Sequence, residues 1–77
     1  MKRRYVDVIC LNNQDGSIKP LFLLWDDSKI PITKIIDISP RIALKGGGSG
    51  LRFTCIFEER LEKHLYYDRG KWFVEAY

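Results

Sequence analysis

The chain has little of what catalysis or metal binding draws on: one histidine, two cysteines and one methionine in 77 residues. His64 stands alone in a polar segment, with no cysteine or carboxylate companion at metal-ligand spacing, which argues against a metal site. Cys10 and Cys55 lie far apart and no CxxC pair exists. Buried, reduced thiols are therefore the expectation, rather than a disulfide or a metal pair. The adjacent carboxylates Asp26-Asp27 and Glu58-Glu59 fall in turn-like stretches. Successive strand residues face opposite ways, so neither pair makes an acid–base dyad. The expectation is a protein that is not an enzyme and carries no cofactor.

Long apolar runs are also missing. The longest, Leu21 to Trp25, falls well short of the ~18 residues a membrane span needs. "MKRR" at the start is followed by a stretch too short and too polar for a signal peptide, with no small-residue cleavage site. A cytoplasmic location with no membrane partner is expected. No sign of charge dominates either, since 13 basic and 10 acidic residues give +3. That permits an acidic partner without requiring one. The length admits one hydrophobic core, and no repeat or linker divides it, so residues 1–77 read as a single β domain.

What the chain does have is short-period apolar patterning broken by turn signals. Val6, Val8 and Cys10 alternate with Tyr5, Asp7 and Ile9, predicting a first strand near 4–11. "NNQDGS" follows, with Asp15-Gly16 the clearest hairpin signal. "IKPLFLLW" is apolar on both faces, as in a central or closed-sheet strand. Pro20, which lacks an amide donor, belongs near its start or on an unpaired side. After "DDSK", the run "KIPITKIIDIS" puts Ile30, Ile32, Ile36 and Ile38 on one parity, and Pro40 is expected to end it. "LRFTCIF" sets Leu51, Phe53, Cys55 and Phe57 on one face against Arg52 and Thr54 on the other. "FEERLEKHLYY" allows a short amphipathic helix near 57–65. A turn near Glu59–Glu62 and a strand from Lys63 to Asp68 fits the neighbouring patterns better. "KWFVEAY" closes the chain as a last strand. About six short strands with sticky edges favour an all-β fold, closed into a small barrel or a strongly bent antiparallel sheet.

"KGGGSGLR" is the stretch that suggests a ligand. It lacks the Lys-Ser/Thr pair and the following helix of a nucleotide-binding loop. It reads either as a connector that absorbs positive φ angles or as a nest of bare amides for an anion. In the second reading Arg41, Lys45, Gly46, Gly47, Gly48, Ser49, Gly50 and Arg52 form the candidate nucleic-acid or anion site. Trp25, Tyr66 and Trp72 form a candidate aromatic surface, since small β-barrels stack bases on rings while basic side chains track phosphates. For each ring the competing reading is core or rim packing. The leading functional expectation is a small binding module for nucleic acid or an acidic protein surface. The alternative is a protein–protein adaptor or a homo-oligomer joined through a strand edge.

The segments "DGSIKPLFLLWDD", "KIIDI", "ALKGGGSGLRFTC" and "LYYDRGKWFVE" carry a likeness over nearly the whole chain. It resembles a group of small uncharacterised proteins from low-GC Gram-positive bacteria, in its order of D-G, P-L, glycine loop, R-[YF]-T and W-F-V-E. The resemblance implies a cytosolic bacterial protein and makes the glycine loop and the Trp72-Phe73-Val74-Glu75 ending family features. It brings no activity and no residue roles. The chain departs from the group's pattern at "EERLEK", where a tighter turn is expected. If the loop is a phosphate site, replacing Arg41, Lys45 and Arg52 together with alanine abolishes oligonucleotide binding and spares the fold. Unchanged anisotropy titrations of the variant would make the loop a connector.

Overall fold

β-Branched and aromatic residues at alternating positions favour a pleated backbone, and the turns between them are short. The computed structural model describes residues 2–42 and 49–76, the side chains of 41, 42, 49, 59 and 76 excepted. Six strands follow one another: β1 (Lys2–Asn12), β2 (Ile18–Trp25), β3 (Ser28–Ile42), β4 (Ser49–Phe57), β5 (Leu61–Asp68) and β6 (Lys71–Ala76). Each pairs antiparallel with the next, and β6 pairs with β1, closing a barrel. The all-β expectation holds. No α-helix occurs among the described residues, and a single 3-10 turn, Glu58–Arg60, replaces the helix that 57–65 allowed. None of the described helical structure is long and apolar enough to cross a membrane.

Turn chemistry explains the connections. Gly16 takes φ 91° and donates its amide to the Asn13 carbonyl at 2.9 Å. Asp15 accepts from the Ser17 hydroxyl (2.7 Å) and amide (2.9 Å), and these bonds hold its carboxyl below the usual value. Arg69 and Gly70 both have positive φ (54° and 80°), the signature of the two-residue hairpin whose twist matches its strands. Asp26, at φ 53°, serves the β2–β3 turn, since aspartate tolerates the left-handed region better than most residues.

Two strands each belong to two sheets. β1 pairs with β6 through Val6 and with β2 from Asp7, while β3 pairs with β2 through Pro31 and with β4 from Ile32. Sharing strands in this way folds the sheet over a core of Leu23, Phe53, Cys55, Phe57, Leu65 and Trp72. Each fully buried side chain of this size contributes roughly 1.5–3 kcal/mol. Pro20 is fully buried at the third residue of β2, where only β1 pairs with it.

The third strand departs from its expected parity. Its register against β4 shifts between Ile32 and Lys34 and again between Ile35 and Asp37, two β-bulges that each insert one residue. Ile32, Ile35 and Ile38 therefore stand opposite Phe57, Cys55 and Phe53, three apart rather than two. Ile36 is the inserted residue and is 46% exposed, so it does not share a face with Ile30 and Ile32. Ile38 lies on the core side but is 52% exposed, because β2 no longer flanks β3 there. Thr33, inserted by the first bulge, donates its hydroxyl to the Ile56 carbonyl at 3.0 Å. Pro40 does not end the strand: it pairs with Leu51 on a strand with an open side, where a missing donor costs nothing.

Burial fixes the chemistry of the Cys55 thiol. Cys55 is fully buried, and desolvation pushes its thiol from 9.0 up to about 11. Between those values the folded protein keeps a proton that the unfolded chain has lost. The stability from this group is thus complete below pH 9 and declines as pH rises towards 11. Chemical denaturation from pH 8 to 11 should show this alkaline loss, and Cys55→Ala should flatten it. An unaltered alkaline slope in the variant would place the loss elsewhere.

Candidate functional site

The last hairpin closes the barrel with only three residue pairs, Tyr66↔Phe73, Tyr67↔Trp72 and Asp68↔Lys71. Rings zip it from both sides. On the core side Tyr67 meets Trp72 with centroids 4.7 Å apart, and Trp72 meets Phe53 at 5.3 Å. On the outer side Tyr66 stacks on Phe73 at 5.2 Å and 13°, and Tyr5 tilts against Phe73 at 5.7 Å. Below this clamp the strands part. Residues 61–65 of β5 pair with β4 alone, and residues 74–76 of β6 pair with β1 alone.

A cleft of about 560 Å³ opens where they separate. Its apolar walls are Leu23, Ile30, Phe57 and Val74, with Trp25 and Leu61 at the rim. Polar groups from the turn and the two strands complete it: Glu58, Lys63, His64, Tyr66 and Glu75. This is the size and character of a ligand-binding cleft, an apolar body with a few polar groups at its mouth. Leu61 is 53% exposed, an apolar side chain on an open strand edge.

Trp25 carries a second feature of the rim. The Arg4 guanidinium lies 3.6 Å from the centroid of its ring and donates to Asp26 Oδ1 at 3.2 Å. Such a stacked, half-exposed cation contributes about 0.5–1 kcal/mol. Cations also lie over other rings, Arg3 over Phe73, Lys29 over Phe22 and Lys71 over Tyr5.

The sequence-predicted candidates meet different fates. Lys45, Gly46, Gly47 and Gly48 lie outside the described residues, as do the side chains of Arg41 and Ser49. The backbone brings Arg41 opposite Gly50, where β3 and β4 lead into the loop. Arg52 stands opposite Tyr66 and Ser39 on the outer face, half-buried, and its Nε is enclosed without a hydrogen-bond partner. The Asp68 Oδ1 is enclosed in the same way. The aromatic surface is corrected. Trp72 is 7% exposed and belongs to the core, because it alternates with outward Phe73. Tyr66 is 5% exposed, pressed on Phe73, and Trp25 alone of the three keeps a half-open ring at the cleft. Leu61, Lys63 and Val74 were missed, since the parting of two paired strands leaves no local mark in sequence. Among the described residues no cluster of three metal-ligating side chains exists.

No family model matches the chain, and neither a curated protein nor a solved structure matches it. The two tryptophans should separate in quenching experiments. Trp25→Phe leaves a fluorescence that acrylamide barely quenches, and Trp72→Phe leaves one it quenches readily. Equal quenching of both variants would contradict the assignment of Trp72 to the core.

Proposed function

We propose that the protein is a small binding module that accepts an extended segment of a partner protein between β5 and β6. The observation that carries this reading is the pair of open strand edges flanking an apolar cleft. An added strand takes its affinity from main-chain hydrogen bonds along such edges and its selectivity from side chains that enter pockets beside them.

A contrast within the barrel supports it. β2 and β3 also part, but their free edges carry Pro20, Pro40 and register shifts on both strands. Prolines and bulges are the devices by which sheet edges refuse a further strand. Residues 61–65 and 74–76 contain no proline, and their ladders run without a shift. Residues 7–12 of β1 also pair with β2 alone, but it is the β5 and β6 edges that flank the cleft.

The nucleic-acid reading draws less support from the described residues. Base stacking needs open ring faces, and Tyr66 and Trp72 are buried while the Arg4 guanidinium occupies one face of Trp25. A capped heptapeptide of alternating threonine and leucine, labelled for anisotropy, should bind saturably. Leu61→Ser, which removes an exposed side chain, should weaken it about threefold to tenfold. No saturable binding, or binding that Leu61→Ser leaves unchanged, would count against the site.

A further inference from the structure

The faces of β5 indicate which strands fit. Leu61 stands opposite Phe57, Lys63 opposite Cys55 and Leu65 opposite Phe53. All three partners are buried, and residues opposite one another share a face. Leu61, Lys63 and Leu65 therefore form one column on the core-facing side, with a cation between two leucines. Lys63 lines the cleft and stays exposed, its stem able to lie along apolar surface while the ammonium reaches water. Among the described residues it has no ion-pair partner.

We infer that the strand accepted here carries an acidic side chain between two apolar ones, in the pattern apolar-x-acidic-x-apolar, its carboxylate meeting Lys63. This rests on the strand-addition reading. An inserted strand repeats every two residues, as β5 does, so its inward side chains fall level with Leu61, Lys63 and Leu65. The apolar side chain level with Leu61 enters the cleft, the acid meets Lys63, and the apolar side chain level with the fully buried Leu65 ends against the clamp. The other polar groups of the mouth lie off it: Glu58 is in the 3-10 turn, His64 alternates outward, and Glu75 stands opposite Arg3 in the ladder on the outer side of β6.

The same lysine acts against the wrong partner. Two copies of this chain joined edge to edge along β5 would each bring Lys63 to the shared apolar side, and like charges there repel. An inward charge on an edge strand thus rejects self-association and selects an acidic strand, which is how specificity arises from repulsion as well as attraction. This repulsion disfavours a second copy pairing through its own β5, and the occupant inferred here is an extended acidic-apolar segment of a different protein.

Three capped peptides, Thr-Leu-Thr-X-Thr-Leu-Thr with X as Glu, Gln or Lys, separate the claims by anisotropy at low salt. The Glu peptide should bind about threefold tighter than the Gln peptide, and the Lys peptide most weakly. In Lys63→Glu, an exposed position whose reversal spares the fold, the order should invert. Saturable binding with equal affinity for all three would overturn the acidic preference and leave strand addition standing. Tightest binding of the Lys peptide would overturn it as well, with Glu58 and Glu75 as the recognising groups. Binding of none would overturn both readings.

Discussion

The barrel depends on the aromatic clamp that joins β5 to β6. Six strands can be wound around a core by sharing β1 and β3 between two sheets, but the last edge must still be brought to the first. Here three residue pairs do it, and so short a ladder is a weak closure in backbone hydrogen bonds alone. The Tyr67–Trp72 contact inside and the Tyr66–Phe73 stack outside supply the rest. Ring pairs of this kind contribute about 0.5–1.5 kcal/mol each beyond the area they bury. The Arg69-Gly70 turn sets the twist that brings them together.

Closure at one end leaves an opening at the other. β6 follows β1 and β5 follows β4, so below the clamp the barrel wall divides and the core shows through as a cleft. An opening of this kind would invite aggregation if nothing controlled what entered it. Along β2 and β3 the chain controls its free edges with proline and bulges. At the cleft it uses a single inward lysine, a milder device that discriminates between partners rather than refusing all of them. Structure and selectivity thus share one origin, the shortness of a chain that cannot pair every edge it makes.

Much of the fold was legible because its signals are local. "LRFTCIF" alternates cleanly and lies as read, with Phe53, Cys55 and Phe57 buried. "IKPLFLLW" spans β2 residue for residue, and Asp15-Gly16 makes its turn. Between the two readings of 57–65, the turn and strand prevailed over the helix: β4 offers β5 seven partners, and a sheet edge left bare would cost more than the helical spacing of Phe57, Leu61 and Leu65 gains. The parity of the isoleucines in β3 was not legible, because a bulge moves residues between faces without changing composition. The candidate site was hidden for a related reason. Lys63 reads as a surface lysine until Cys55 and Leu65 place it on the core side, and Trp72 reads as a rim residue until Phe53 encloses it. Those are facts of register, which one sequence does not carry.

The opening between β5 and β6 is the premise of the functional account, and residue-resolved amide hydrogen exchange of the free protein tests it directly. In a strand paired on one side only, alternate amides face the partner and the rest face solvent. Residues 61–65 should therefore show alternating slow and fast exchange, while Tyr66 and Tyr67 in the clamp and residues 53–56 of β4 are protected throughout. Uniform protection from 61 to 68 would mean that β5 and β6 stay paired along their length, and the site would not exist.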